Sequence, residues 1–262
     1  MLSNHSKTWL ALIIGNSRLH WGLFNQENLI KAWDTNYLTE SKIKKLSKSQ
    51  TLQQTLSYLS SPSLPLPFSP SPSLFIASVV PSQTKIWQNY PHANFISLNQ
   101  IPLKNLYPTL GIDRALALFG AGEIWNFPIL VIDTGTALTF TGADSKRNLI
   151  GGAILPGLGL QISTLAQKTG QLPNVKLPQQ LPQRYALNSP ESIQSGIIYT
   201  LIAGIKYFIE AWWRDYPESK IVITGGDHTV IVNYLKYQYP DITERIIVEQ
   251  NLILLGIQKT LM

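Results

Sequence analysis

Three short turns that contain glycine each follow an apolar run of the sequence. They are Gly15-Asn16-Ser17, Asp133-Thr134-Gly135-Thr136 and Gly225-Gly226-Asp227. Glycine lets backbone N–H groups approach phosphate oxygens, and Ser or Thr hydroxyls can donate further hydrogen bonds. Such turns are common, so each one alone is a weak signal. Because the sequence has neither a GxxxxGK[ST] loop nor a GxGxxG after its first strand, a nucleotide would need a different set of loops.

Strands are the elements that must position the first two turns. Residues 9–14 (WLALII) and 19–24 (LHWGLF) flank the first turn and predict a hairpin. The same arrangement recurs about 120 residues later, where 128–133 (PILVID) and 134–142 (TGTALTFTG) surround the second turn. This internal repeat indicates two similar α/β lobes with a cleft between them. Two unrelated β-hairpins would give the same pattern.

The length of the chain suits two lobes. Its 262 residues can form two domains of about 100–150 residues each. We predict an N-terminal lobe over 1–117, with a Ser/Pro-rich insertion at 60–73 that can extend neither a helix nor a strand. The C-terminal lobe would cover 118–262 and contain an amphipathic helix at 197–213.

Charge and composition narrow the class of partner. The net charge is +6, but the basic residues are scattered, and the densest run, 42–48 (KIKKLSK), has no interleaved aromatic residues. We expect that run to be a solvated helix face and expect no nucleic acid partner.

The sequence also guides the expected location. It has no cysteine, which rules out disulfides and thiolate chemistry. The first residues lack the pattern of a secretion signal, and no apolar run reaches the roughly 20 residues of a membrane span. We expect a cytoplasmic protein that does not enter a membrane.

Taken together and in this order, the three turns resemble the two phosphate loops and the adenosine loop of the actin-like ATPase superfamily. Four segments, the last of which includes the third turn, are similar to type III pantothenate kinases. They are Gly111-Ile112-Asp113-Arg114, the stretch 151–175 (GGAILPGLGLQISTLAQKTGQLPNV), Asn188-Ser189 followed by Gly196, and 223–227 (ITGGD). The resemblance extends from Leu10 to Gly256. It implies an α/β fold of two similar lobes, each a mixed sheet flanked by helices, with the nucleotide between them.

The resemblance also implies an activity, the transfer of the ATP γ-phosphate to pantothenate in the first step of coenzyme A biosynthesis. Asp113 would be the general base, a role worth about 10²–10⁴ in rate. Arg114 would keep that carboxylate ionised and could pair with the substrate carboxylate. An Asp-Arg surface pair capping a helix would give the same two residues. The implied pantothenate contacts are Gly111, Ile112 and Arg114, with Ser189 in place of the usual Thr and a looser match at Tyr107.

The nucleotide and ion contacts follow from the same resemblance. Asp133 would bind a monovalent cation, K⁺ or NH₄⁺, and Mg²⁺ would accompany ATP. His20 either contacts phosphate or faces outward from its strand. Relatives form homodimers, which implies a homodimer here. The implied ATP contacts are Gly15, Asn16, Ser17, His20, Thr136, Gly225 and Gly226.

One position departs from the family pattern. The first phosphate loop usually reads Asp-x-Gly-Asn-Thr, and Ile13 occupies the acidic position here. Isoleucine cannot bind magnesium or its waters, so other groups would have to handle the metal. Two alternatives remain: a catalytically weakened homologue with a regulatory or transcription accessory role, and a kinase of the same superfamily acting on another small alcohol, such as a sugar.

Overall fold

The first glycine turn joins two antiparallel strands, β1 (Thr8–Ile14) and β2 (Leu19–Asn25). The computed structural model describes residues 8–59, 72–91 and 93–262. The predicted hairpin is confirmed. A third strand, β3 (Asn28–Thr35), pairs antiparallel with β2.

Two further strands complete this first sheet and run parallel to β1. β4 (Ser73–Ser78) pairs with β1, and β5 (Ala93–Phe95) pairs with β4, which gives the order β3-β2-β1-β4-β5. The Ser/Pro-rich insertion predicted at 60–73 lies, apart from its last two residues, outside the described residues.

The second sheet repeats the first. Its strands are β6 (Ile129–Thr134), β7 (Ala137–Ala143), β8 (Leu149–Pro156), β9 (Lys220–Thr224) and β10 (Ile246–Val248). The order is β8-β7-β6-β9-β10, with β6, β7 and β8 antiparallel and β9 and β10 parallel to β6. Each sheet therefore has its third, second, first, fourth and fifth strands side by side, which confirms the predicted pair of similar α/β lobes.

Helices cover both sheets. Those of the described residues are α1 (Glu40–Leu46), α2 (Leu52–Tyr58), α3 (Pro81–Trp87), α4 (Ile112–Trp125), α5 (Leu158–Lys168), α6 (Ser189–Asp215), α7 (His228–Gln238), α8 (Pro240–Thr243) and α9 (Leu252–Leu261). In the first sheet, Leu10, Leu12 and Ile14 of β1 pack with residues of α1 and α2 in one buried cluster. β1 also contacts α9.

The chain divides into two compact units, residues 1–120 with 251–262, and residues 121–250. The predicted boundary assigned 251–262 to the C-terminal lobe, whereas in the structure these residues group with the first unit. The reason is a close contact in the first unit: Gly120 of α4 and Gly256 of α9 have no side chains, so the two helix backbones meet there. An alanine at either position would place its Cβ within 3.0 Å of backbone atoms of the other helix.

The predicted amphipathic helix is α6, which is longer than expected at 27 residues. It is the one helix among the described residues whose length and apolar composition would allow it to cross a membrane. Its apolar stripe, which includes Ile198, Ile202, Ile205 and Ile209, is fully buried in the core of the second unit. Packing in that core accounts for its apolar composition.

Candidate functional site

The first glycine turn is held at both of its ends. Gly15 N–H donates to the Arg18 carbonyl at 3.1 Å, which closes the turn, and Asn16 and Ser17 are exposed at its tip. The Tyr37 hydroxyl donates to the Gly15 carbonyl at 2.6 Å. The tip residues predicted to contact phosphate are thus presented to solvent on a turn whose ends are fixed.

His20 lies beside this turn on β2 and forms a hydrogen bond with Asp34 of β3. The distance between His20 Nδ1 and Asp34 Oδ1 is 2.6 Å. Arg18 donates to the other oxygen of the same carboxylate at 2.8 Å. The hydrogen bond from His20, assisted by the charges of His20 and Arg18, lowers the pKa of Asp34 despite an opposing contribution from burial. Asp34 is therefore ionised at neutral pH and holds two basic side chains next to the turn.

Ile13 occupies the same row of the sheet as His20. The row runs Ala77, Ile13, His20, Asp34 across four strands, and directly paired residues share one face of a sheet. Ile13 is buried, and Asp34 is the only acidic residue of the row. The end of β1 therefore offers no carboxylate to a metal ion.

Asp113 is positioned by the start of α4. Its Oδ1 accepts a hydrogen bond from Arg114 N–H at 2.7 Å. Gly111 makes this placement possible, because a Cβ at that position would come within 3.0 Å of Oδ1. Burial raises the pKa of the Asp113 carboxyl above its ordinary value of 3.8, and the Arg114 hydrogen bond and charge only partly oppose this. The result is a partly buried carboxylate that is a stronger base than a solvated one.

Arg114 is 9% exposed, which is unusual for an arginine. Its Nη1 donates to the Tyr107 hydroxyl at 3.0 Å, so that Tyr107, predicted as a substrate contact, also orients the guanidinium. Ile112, the first residue of α4, is buried. Gly111, Asp113, Arg114 and Tyr107 are thus brought together in the first unit.

The second glycine turn joins β6 and β7 in the second unit. Thr136 is exposed there, and its carbonyl accepts a hydrogen bond from Gly157 N–H at 2.9 Å. Gly157, which precedes α5, lies so close to the turn that a Cβ would overlap the carbonyl oxygens of Gly135 and Thr136. The backbone around Thr136 is therefore fixed by close packing.

The third glycine turn contacts the second directly. Gly225 has a positive φ of 95°, and a Cβ there would overlap Asp133 Oδ1 and the Thr134 backbone. Asp227 N–H donates to the Thr134 carbonyl at 2.9 Å. Because Gly225 follows β9, which pairs with β6, the Asp133 carboxylate lies against Gly225. The predicted cation ligand and the predicted nucleotide residues Gly225 and Gly226 are thus brought together.

Ser189 is the first residue of α6 and is exposed. The preceding Asn188 caps the helix, because its side chain accepts a hydrogen bond from Glu191 N–H at 2.9 Å.

The predicted site residues fall into two groups. The second unit contains Ser189, Asp133, Thr136, Gly225 and Gly226, and the first unit contains the others. Across the described residues, no three His, Cys, Asp or Glu side chains cluster in a way that could hold a metal ion. Sequence reasoning missed Asp34 and Tyr37, which hold the first turn.

Solved structures share this architecture. A Campylobacter jejuni structure described as a conserved Baf family transcriptional activator superposes with a TM-score of 0.62 at 21% identity, covering 96% of each chain. The activator of 2-hydroxyisocaproyl-CoA dehydratase from Clostridium difficile, solved with bound ADPNP, gives a TM-score of 0.50 at 12% identity, covering 95% of this chain and 92% of that one. At these identities the likeness concerns the fold alone. Duplicated mixed sheets with glycine turns therefore define the fold class of this protein.

Sequence relatives define the family within that class. Residues 9–211 match the type III pantothenate kinase family. A type III pantothenate kinase from a Nostoc species is 57% identical over 256 residues, which cover 95% of this chain and 93% of that protein. One from a Synechocystis species is 40% identical over 256 residues, covering 97% and 90%. The chain belongs to the type III pantothenate kinase family.

Proposed function

We propose that the chain transfers the γ-phosphate of ATP to the hydroxyl of pantothenate, giving 4'-phosphopantothenate and ADP in the first step of coenzyme A biosynthesis. The observation that carries this proposal is the Asp113 carboxylate, held beside the buried Arg114 at the start of α4 in a member of this kinase family. The alternative regulatory role is not favoured, because relatives at 57% and 40% identity are named as kinases and the Asp113-Arg114 pair is present.

Asp113 is the proposed general base. The pantothenate hydroxyl oxygen forms a bond to the γ-phosphorus while the bond from that phosphorus to the β–γ bridging oxygen breaks, and the hydroxyl proton passes to Asp113. A raised pKa suits this role, since a base works best when its pKa approaches the working pH. The rest of the catalysis is positioning and charge stabilisation, as in phosphoryl transfer generally.

Arg114 is the proposed partner of the pantothenate carboxylate. Its guanidinium has five donors in a fixed plane, a geometry that suits a carboxylate, and its Nη1 donates to the Tyr107 hydroxyl. A buried guanidinium held by a neighbour loses little further freedom when it pairs with a carboxylate. We assign Gly111 and Ile112 to the same substrate site, and Ser189 to a hydroxyl contact with the substrate.

ATP binding is assigned to the three glycine turns. Glycine turns elsewhere bind phosphate oxygens through backbone N–H groups. Mg²⁺, when bound with ATP, neutralises phosphate charge. With Ile13 at the end of β1, we infer that the ion is held mainly by the nucleotide phosphates and water, a common arrangement for Mg²⁺. The proposed ATP contacts are Gly15, Asn16, Ser17, His20, Thr136, Gly225 and Gly226.

Asp133 is the proposed ligand of a monovalent cation, K⁺ or NH₄⁺. In support of this, its carboxylate lies against Gly225 at the meeting of the second and third turns, where a cation would offset phosphate charge. We expect Asp133→Asn to abolish stimulation of turnover by K⁺ or NH₄⁺. Unchanged stimulation in a folded variant would reject this assignment.

A homodimer and a cytoplasmic location are proposed on the family resemblance. The dimer proposal has some support in exposed apolar side chains near Ser189, since Tyr185 is 83% and Leu187 is 99% exposed. Light scattering coupled to gel filtration should give twice the chain mass of 29.3 kDa, and a mass equal to one chain would reject the dimer.

Release of ADP by the purified protein tests the proposed function. With ATP and Mg²⁺ present, release should require pantothenate and should not be supported by glucose or other sugars. The Asp113→Asn variant, which keeps the shape of the side chain but loses its basicity, should be inactive. Pantothenate-independent release, or full activity in Asp113→Asn, would contradict the proposal.

A further inference from the structure

The first glycine turn is held by two residues outside the turn. Asp34, near the end of β3, holds Arg18 at one end of the turn. Tyr37, three residues further along the chain, holds Gly15 at the other end. Gly15 and Arg18 are themselves joined by the hydrogen bond that closes the turn. One short segment, 34–37, therefore fixes both ends of the turn.

We propose that Asp34 and Tyr37 are positioning residues that act together to hold the first glycine turn in the conformation that binds the triphosphate of ATP. The proposal deepens the proposed function and rests on ATP binding at this turn. The two residues act through Gly15, Arg18 and His20, and neither is assigned a contact with the nucleotide.

The need for such a device follows from the turn itself. Asn16 and Ser17 at its tip are exposed, and a short glycine-containing turn is free to change conformation unless its ends are fixed. Holding a binding loop in its bound conformation raises affinity, because less conformational freedom is lost on binding. Asp34 and Tyr37, which together form a clamp on the turn, therefore reduce the entropic cost of ordering the turn around phosphate.

Asp34 also determines which ring nitrogen of His20 faces it with a proton. An ionised carboxylate has no proton to donate and acts solely as a hydrogen-bond acceptor. The 2.6 Å contact therefore requires His20 Nδ1 to carry the proton. His20 Nε2 is then the nitrogen left for other contacts, and it is buried without a hydrogen-bond partner among the described residues. Asp34 thus orients a second basic side chain, in addition to Arg18, at the edge of the turn.

The exposure of these groups argues that the clamp acts on binding more than on folding. The side chains of Arg18 and Asp34 are 50% and 40% exposed, and exposed ion pairs contribute little to stability. Asp34→Asn should therefore leave the melting temperature nearly unchanged while it frees one end of the turn. Tyr37→Phe removes only the hydroxyl that holds the other end.

The test is the dissociation constant of ATP, measured by isothermal titration calorimetry without pantothenate. We expect Asp34→Asn and Tyr37→Phe each to weaken ATP binding by about 3–10-fold, since each removes one hydrogen-bonded hold on the turn. Because both hold the same turn, the double variant should weaken binding by less than the product of the two single effects. The KM for pantothenate should stay unchanged, a split that general destabilisation would not produce. Asp34→Glu, which keeps the charge, should recover part of the affinity.

Thr35→Val is the matched control. Thr35 lies next to Asp34 on the opposite face of β3, and its hydroxyl accepts from Trp21 Nε1 at 3.0 Å. This variant removes a hydrogen bond between the same two strands away from the turn, and ATP affinity should be unaffected. The proposal is overturned if Asp34→Asn binds ATP within twofold of the wild type, or if Thr35→Val weakens binding equally. Because ATP binding is measured without turnover, failure of pantothenate phosphorylation would be recognised separately in the ADP assay.

Discussion

Replacing Gly111 with alanine should remove most of the activity while leaving the protein folded. The added Cβ would lie within 3.0 Å of Asp113 Oδ1, closer than Cβ atoms approach other atoms, whereas ordinary contact begins at 3.4 Å. The Asp113 carboxylate must therefore shift, and its 2.7 Å hydrogen bond from Arg114 N–H must lengthen or break. Gly111 does not have a positive φ, so alanine fits the backbone there.

The size of the effect follows from how catalytic groups depend on position. A misplacement of about 1 Å can cost about 100-fold in rate, and a general base contributes about 10²–10⁴ in total. We expect kcat to fall about 100-fold, equivalent to about 2.7 kcal/mol of transition-state stabilisation. The affinity for ATP should be unchanged. The melting temperature should be equal or slightly higher, because alanine restricts the unfolded chain more than glycine does.

The assay is steady-state ADP release, with Gly204→Ala as the matched control. Gly204 lies in α6, and a Cβ there would meet no atom within 4 Å, so kcat should not change. The double variant Gly111→Ala, Asp113→Asn should be no slower than Asp113→Asn alone, since both changes remove the same base. A folded Gly111→Ala enzyme with kcat within threefold of the wild type would refute the reasoning.

Three further predictions concern other parts of the site. Tyr107→Phe removes the acceptor of the Arg114 Nη1 hydrogen bond and should raise the KM for pantothenate by about 3–10-fold. The kcat and the KM for ATP should not change. An unchanged pantothenate KM would show that Tyr107 does not orient Arg114. Burial raises the pKa of Asp113, and only the ionised carboxylate can accept the substrate proton. The kcat should therefore decline as the pH falls, with a midpoint above 3.8. A midpoint at or below 3.8 in the kcat–pH profile would contradict the raised pKa. The added Cβ in Gly157→Ala would overlap two backbone carbonyls of the second turn. This should lower the free energy of unfolding, measured by urea denaturation, by about 1–3 kcal/mol. An unchanged unfolding midpoint would show that the turn adjusts without loss of stability.

Much of the architecture could be predicted because the two hairpins carry strong local signals. Residues 9–14 and 128–133 are continuous apolar runs that end at glycine turns, and the structure places strands at both. The repeat between the halves was visible for the same reason. The sequence does not place residues 251–262 in the first unit, because their packing depends on contact between Gly120 and Gly256, and sequence patterns do not reveal which distant glycines meet.

The residues that hold the first turn were missed because β3 has no clear strand signal. All of its residues are exposed or half-buried, so it lacks a buried apolar run. The β2–β3 turn contains Gln26 with a positive φ of 53°, where Asn or Gly would have indicated a hairpin. Without β3, nothing in the sequence places Asp34 beside Arg18 and His20. The significance of Asp34 and Tyr37 emerges only from the pairing of the strands.

The most direct test of the central claim is transfer of label from ATP carrying ³²P in the γ position, with the product identified by chromatography and mass spectrometry. Wild-type protein should place the label on pantothenate as 4'-phosphopantothenate, and Asp113→Asn should yield none although it still binds ATP. Label recovered only as inorganic phosphate, or 4'-phosphopantothenate formed equally well by Asp113→Asn, would contradict a pantothenate kinase that uses Asp113 as its base.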